Sequence, residues 1–119
     1  MVVRWGVLST AKIGVTKVIP AMQAGRHSRV EAIASRDLSQ AREVAGRLGI
    51  SRAYGSYQEL LADPEVDAVY CAVPHHLHAQ IYGDVIRAGK HLLGEKPFGI
   101  DLAANEQILA DLRAHPQVF

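Results

Sequence analysis

The chain has 119 residues, a length that fits a single domain with one hydrophobic core. Hydrophobic residues make up 49% and charged residues 21%, as is typical of globular proteins, and the net charge of +1, spread along the chain, offers no obvious partner for nucleic acid. The amino terminus has neither the basic segment nor the long apolar run of a signal peptide or membrane span. Cys71 is the single cysteine of the sequence, so no disulfide can form within it. We therefore expect one cytoplasmic domain over residues 1–119, away from membranes.

Apolar runs alternate with helical patterns along the whole chain, and no repeat or linker interrupts them. Pro20 lacks the N–H of a helical residue, so we expect a new turn or a kink inside the first helix. After Pro116, Val118 and Phe119 resemble the first residues of a sixth strand, within which the sequence stops. The predicted strands cover residues 2–8, 30–34, 52–54, 67–73 and 91–94, and the predicted helices cover residues 11–24, 38–48, 56–61, 77–89 and 102–112.

Polar residues and glycines mark where the predicted helices begin and end. Asp37 is an N-cap for the second helix, whose apolar residues recur at helical spacing, and Gly49 ends that helix. Ser56 begins the Ser-Tyr-Gln-Glu pattern of a capping box, and Asp101 caps the last helix. These signals divide the chain into regular strand and helix units.

Strand and helix alternate five times, with connections long enough for crossovers between parallel strands. The segment 67–73, Asp-Ala-Val-Tyr-Cys-Ala-Val, is almost continuously apolar, which is typical of a strand covered on both faces, and we expect it to be central. The sequence therefore predicts an α/β fold, a doubly wound parallel sheet of five to six strands that is Rossmann-like, with helices on both faces.

Small and polar residues cluster where four of the predicted strands end. Carboxyl ends of parallel strands meet at one edge of the sheet, and open α/β sheets bind ligands there, where the strand order reverses. We therefore expect the binding site at this edge. The clusters are residues 9–11, 35–37, 74–76 and 95–97.

The segment Ser-Thr-Ala-Lys-Ile-Gly, residues 9–14, follows the first strand in the place of a Gly-x-Gly-x-x-Gly phosphate-binding turn. Ser9 and Ala11 stand where the first two glycines are expected, and only Gly14 keeps its place. Small side chains still let a pyrophosphate approach the helix N-terminus, where free N–H groups favour an anion. On this loop alone, a tight turn that needs small residues only for packing is an equal alternative.

Arg36 follows Ser35 at the end of the second strand, where an NAD site would carry a carboxylate for the ribose 2′-hydroxyl. A guanidinium suits a 2′-phosphate instead, so this loop favours NADP over NAD. The alternative is a solvated cation beside the helix that Asp37 caps.

Three histidines near the end of the fourth strand, His75, His76 and His78, raise the question of a metal site. They form at most a local pair and have no cysteine or matching distant ligand, so we expect no metal. A hydrogen bond to a ribose or nicotinamide fits better, as does a plain helix-start role for His76.

After the fifth strand, Lys96 presents an ammonium to a substrate hydroxyl or carbonyl, or is a surface lysine in a turn.

The chain resembles the N-terminal domain of the glucose-fructose oxidoreductase / inositol dehydrogenase (Gfo/Idh/MocA) family in four ordered blocks: RWGVLSTAKIG, AIASRD, AYGSYQELLADPEVDAVYCAVPHHLHA and AGKHLLGEKP. The resemblance covers nearly the whole chain. It implies an NAD(P)-dependent oxidoreductase acting on sugars, polyols or related alcohols and carbonyls. It also implies that the family's second domain, which supplies the substrate pocket and much of the oligomer interface, is absent from these residues.

The resemblance also implies a role for each of the four loops. Residues 9–14 would contact the pyrophosphate, residues 35–36 the adenosine ribose or its phosphate, and residues 73–75 with His78 the nicotinamide half. Glu95 would reach the nicotinamide ribose, Lys96 would be the catalytic lysine, and Pro97 would follow a cis bond. The implied cofactor-binding residues are Ser9, Thr10, Ala11, Lys12, Ile13, Gly14, Ser35, Arg36, Val73, Pro74, His75, His78, Glu95 and Lys96.

Two departures separate the chain from the family pattern: His75 replaces the usual asparagine, and Ser9 and Ala11 replace glycines. Without a second domain we expect cofactor binding without turnover, a homo-oligomer formed through exposed apolar surface, and a small-molecule substrate only in a longer parent protein. The alternatives are a stand-alone NADP-binding module and a cofactor-sensing regulatory protein. The retained Lys96 argues against a regulator, which has no need of that lysine.

Overall fold

A computed structural model describes residues 2–119, which form one parallel sheet of five strands joined by helices. A π-helical turn over Gly14–Val18 leads into α1, and a 3₁₀ turn over His75–Leu77 leads into α4. The strands are β1 (Val3–Leu8), β2 (Ser28–Ala34), β3 (Arg52–Tyr54), β4 (Ala68–Cys71) and β5 (His91–Gly94). The helices are α1 (Ile19–Ala24), α2 (Leu38–Leu48), α3 (Tyr57–Leu61), α4 (His78–Arg87) and α5 (Leu102–Ala114).

The strand order β3-β2-β1-β4-β5 confirms the predicted doubly wound sheet. The chain runs outward from β1 to β3, then crosses to the other side of β1 for β4 and β5, and every pairing is parallel. The prediction that the segment 67–73 is central was wrong, because β1 occupies the middle. β4 lies beside β1 and is still buried on both faces, which explains its continuous apolar sequence.

Successive residues of the inner strands face opposite sides of the sheet and build two cores. Val7 and Tyr70 pack with Ile19 of α1 and Val44 of α2 on one face. The other face packs against the remaining helices, with Leu8, Val69 and Cys71 of the strands beside Leu60, Val85 and Ile108. Helices therefore cover both faces of the sheet, as predicted.

The predicted helix signals appear in the structure. The Asp37 carboxylate accepts a hydrogen bond from the backbone N–H of Ser39 at 2.9 Å, and Gly49 ends α2 with φ of 70°. The Ser56 hydroxyl and the Asp101 carboxylate likewise cap α3 and α5. Pro20 lies in the first turn of α1, directly after the π-helical turn, so the predicted irregularity is present.

The predicted sixth strand is not formed within residues 2–119, although its first ladder contact is present. The backbone N–H of Leu92 in β5 donates to the carbonyl of Phe119 at 2.7 Å. The three residues after Pro116 are too short a segment to form a ladder, so the contact with β5 is a single bond between backbone groups.

Large apolar side chains are exposed in β5, in α5 and in the segments next to them. This exposure was predicted, and the association expected from it stays a prediction. Among the helices of residues 2–119, none combines the length and hydropathy needed to span a bilayer. The exposed side chains are Leu93, Phe98, Ile100, Leu102, Leu109 and Phe119.

We expect Gly94→Ala to destabilise the protein by about 1–3 kcal/mol through overpacking. A Cβ at Gly94 would lie 2.5 Å from the Cζ of Tyr82, a side chain that is completely buried and cannot retreat. Gly46 is the matched control because it lies inside α2 with nothing within 4 Å of an added Cβ. There the same substitution should stabilise the protein by about 0.5–1 kcal/mol. Urea unfolding of both variants measures the difference, and equal shifts would contradict the close contact.

Candidate functional site at the carboxyl edge of the sheet

The loops that follow β1, β2, β4 and β5 lie at one edge of the sheet because all strands are parallel. The strand order reverses between β1 and β4, so α1 leaves toward one face and α4 toward the other. Open α/β sheets form a crevice at such a point. The loops and the first turns of the helical segments after them contain the residues that the sequence singled out, so their local geometry determines what the crevice can hold.

Ser9 holds a backbone conformation that favours glycine. Its φ is 91°, the only positive φ at a non-glycine position within residues 2–119. Its backbone N–H donates to the carbonyl of Ala34 at 2.8 Å, and its hydroxyl accepts from the N–H of Ala11 at 3.1 Å. The serine therefore takes the turn geometry of the expected first glycine and adds a hydrogen bond that glycine lacks.

The start of the helical segment after Ser9 packs closely on the sheet. Gly14 is buried, and a Cβ built on it would lie 3.4 Å from the ring of Tyr70 in β4. Lys12 and Ile13, which precede it, are exposed at the carboxyl edge. A Cβ at this position would just touch the ring, so the helix start lies close to the ends of the strands.

A cavity of about 390 Å³ opens between the loops after β1 and β2, and we name it the Arg36 cavity. It brings together five residues that the sequence placed at this edge, Asp37 among them as a helix cap, with Gln40 and Tyr57, which the sequence placed only within predicted helices. Nothing local shows that Gln40 and Tyr57 reach the first loop. The lining residues are Ser9, Thr10, Ser35, Arg36, Asp37, Gln40 and Tyr57.

The Arg36 cavity combines one cation with several hydroxyl groups. Arg36 is exposed and forms no salt bridge within the described part of the chain. The Ser35 hydroxyl accepts from the N–H of Asp37 at 3.1 Å, while the Asp37 carboxylate caps α2. Burial raises the pKa of Tyr57, and the positive charge of Arg36 partly opposes that rise. Tyr57 is therefore a neutral hydroxyl donor, and the cavity is suited to an anion.

The histidines after β4 separate into exposed and buried positions. Val73 is buried, whereas Pro74 and His75 are exposed at the edge. His78 is completely buried, with Nδ1 2.6 Å from the carbonyl of Pro97 and Nε2 3.1 Å from that of Val73. The ring of His78 therefore joins the loops after β4 and β5 from beneath, whereas His75 and His76 are exposed at the surface.

The loop after β5 is held by two tyrosines that the sequence analysis missed. The Tyr70 hydroxyl donates to Glu95 Oε1 at 2.6 Å, and the Tyr82 hydroxyl donates to the carbonyl oxygen of Glu95 at 2.8 Å. Burial raises the pKa of both phenols, so both stay protonated donors. The Lys96–Pro97 bond is cis, as expected, and the Lys96 side chain is exposed. The only local signal for Tyr70 was an aromatic residue inside an aliphatic strand.

Comparison with known proteins agrees with this architecture. Residues 3–119 match the family model Gfo/Idh/MocA, an oxidoreductase family with an NAD-binding Rossmann fold. An uncharacterized oxidoreductase of Rhizobium meliloti is 45% identical over 128 residues, covering 97% of this chain and 38% of the relative. The D-xylose 1-dehydrogenase (NADP(+)) 2 of Haloferax volcanii is 53% identical over 93 residues, covering 78% of this chain and 28% of the relative.

A similar solved structure is that of a 3-ketoreductase from Actinomadura kijaniata in complex with NADP. It superimposes with a TM-score of 0.90 at 36% identity, covering 97% of this chain and 36% of that chain. The chain thus spans between 28% and 38% of the length of these three proteins.

Substitutions at Ser9 should separate backbone strain from hydrogen bonding. Ser9→Ala keeps the Cβ at a φ of 91° and removes the bond to Ala11, whereas Ser9→Gly loses the same bond but relieves the strain. We expect the glycine variant to be more stable than the alanine variant by about 1–2 kcal/mol. Urea unfolding measures this difference. An alanine variant as stable as the glycine variant would show that the turn carries no strain.

Proposed function

Since the chain belongs to the Gfo/Idh/MocA oxidoreductase family, we propose that it binds NADP(H) for an oxidoreductase acting on sugars, polyols or related alcohols and carbonyls. The choice of NADP rests on the position of Arg36, which lines a cavity beside the first loop. Among the described residues this cation has no ion-pair partner. The names of two similar proteins support the choice, since one is an NADP(+) D-xylose dehydrogenase and the other a ketoreductase in complex with NADP.

The residues of the first loop fit a pyrophosphate. Ser9 adopts the turn that glycine takes in such loops, so the chain enters the helix without a bulky side chain at the crevice. Gly14 brings the helix start against Tyr70, and the N–H groups of a helix start favour an anion. We assign the backbone of residues 9–14 to the pyrophosphate on these grounds.

The residues of the Arg36 cavity fit a ribose phosphate. The Arg36 guanidinium would pair with the 2′-phosphate, and the hydroxyls of Ser35, Thr10 and Tyr57 offer further hydrogen bonds. Asp37, the nearest carboxylate of this loop, already accepts the N–H of Ser39 in the cap of α2. The Asp37 carboxylate is thus engaged at the N-terminus of α2, and the exposed Arg36 guanidinium is left to bind a phosphate, which favours a phosphate over a bare hydroxyl.

The loops after β4 and β5 would hold the nicotinamide half. When bound, the nicotinamide supplies the hydride donor or acceptor. We propose that residues 73–75 and Glu95 surround the nicotinamide. We also propose that the exposed Lys96 Nζ transfers the proton of the substrate oxygen. Because His78 is buried against two backbone carbonyls, we assign it to positioning these loops instead of contacting the cofactor.

Replacing Arg36 should change the choice between the two dinucleotides. We expect Arg36→Gln to weaken NADP binding by about 1.5–3 kcal/mol, because a charge-assisted hydrogen bond is lost, and to leave NAD binding almost unchanged. Arg42→Gln is the matched control, because Arg42 is an exposed arginine of α2 outside the cavity. Isothermal titration calorimetry with both cofactors gives the affinities. Equal losses for NADP and NAD would refute the 2′-phosphate role, and no binding of either by the unmodified chain would refute the proposed function.

We expect the 119-residue chain to bind the cofactor without turning it over. Hydride transfer requires a substrate held about 3–3.5 Å from the reacting carbon, and the exposed Lys96 alone cannot hold one in that position. The purified chain, mixed with NADP and a panel of aldoses and polyols, should form no NADPH above a blank without protein. NADPH formation that Lys96→Ala abolishes would contradict this expectation.

A further inference from the structure

The side chain of Tyr70 lies between two of the loops that we propose to bind the cofactor. It lies in β4, is 1% exposed, and turns its ring toward the face covered by α1. A ring carbon lies 3.4 Å from the position of a Cβ on Gly14, and the hydroxyl reaches Glu95 Oε1 at 2.6 Å. The ring thus supports the helix start after the first loop while the hydroxyl holds the loop after β5.

Glu95 is fixed at both its side chain and its backbone. Tyr70 holds Oε1, and Tyr82 holds the carbonyl oxygen at 2.8 Å. A hydrogen bond to a carboxylate is stronger than one between neutral groups, and partial burial strengthens it further. With Oε1 held by Tyr70, Oε2 is the oxygen left to accept a hydrogen bond from a ligand. The Tyr70 hydroxyl therefore restricts the orientation of the carboxylate.

We propose that Tyr70 is a positioning residue that orients Glu95 toward the nicotinamide half of the cofactor, while the adenosine half binds independently of it. This inference rests on the proposed function. Without the hydroxyl, Glu95 loses its fixed orientation, and the Arg36 cavity keeps all of its lining residues, since Tyr70 is not one of them. The loss of affinity should therefore be confined to ligands that contain the nicotinamide half.

The test compares NADP with adenosine 2′,5′-bisphosphate, which lacks the nicotinamide half. We expect Tyr70→Phe to weaken NADP on the order of 10-fold and to change bisphosphate binding by less than about twofold. Tyr54→Phe is the matched control, because the Tyr54 hydroxyl also donates to a carboxylate, Asp63 Oδ2 at 2.8 Å, and Tyr54 does not line the Arg36 cavity. It should bind both ligands like the unmodified chain.

A double-mutant cycle tests whether Tyr70 acts through Glu95. Glu95→Ala alone should give the same selective loss of NADP, and adding Tyr70→Phe to it should change little. If circular dichroism shows that Tyr70→Phe does not fold, the test rests on Glu95→Ala. Its affinity for NADP should then fall while its affinity for adenosine 2′,5′-bisphosphate stays unchanged. An unchanged NADP affinity, or equal loss of both ligands, would overturn the inference. An unmodified chain that binds neither ligand would refute the proposed function and the inference with it.

Discussion

The central position of β1 is the constraint on which the whole site depends. β1 pairs with β2 on one side and β4 on the other, so the chain must cross the sheet once between β3 and β4. The helices that follow β1 and β4 therefore lie on opposite faces, and the loops leading to them separate. The crevice at the carboxyl edge results from this separation and needs no special residue to open it.

The two ends of the crevice are built in different ways. At the end beside β2, which we propose for the adenosine half, an exposed cation and hydroxyl groups line an open cavity, so binding there would depend on attraction between charges. At the end beside β5, which we propose for the nicotinamide half, buried hydroxyl and imidazole groups form hydrogen bonds to the loops from beneath and hold their backbone. Buried polar groups that are fully paired rigidify their surroundings, which suits a site where orientation matters more than attraction.

Much of the architecture was predictable because its signals are local. Periodicity located the strands and helices within a few residues, and the caps at Asp37, Gly49 and Asp101 depend only on nearby backbone groups. The placement of Arg36 beside the first loop followed from parallel strands ending at one edge. The order of the strands was less predictable, because apolar sequence is equally continuous in any interior strand, and burial alone could not distinguish β4 from β1.

The amino-acid sequence by itself determined the alternation of strands and helices, the glycine-like turn at residue 9 and the cation after β2, since each depends on a residue and its immediate neighbours. Only the tertiary structure decided the contacts of Tyr57 and Tyr70 and that of His78 with Pro97, because these partners lie far away along the chain. Tyr70 and Glu95 are 25 residues apart, and only the pairing of β4 with β5 brings them to 2.6 Å. A long side chain on a sheet contacts residues that are distant in the sequence, and no local pattern specifies them. The contacts that hold the loops of the site therefore form only when the strands pair.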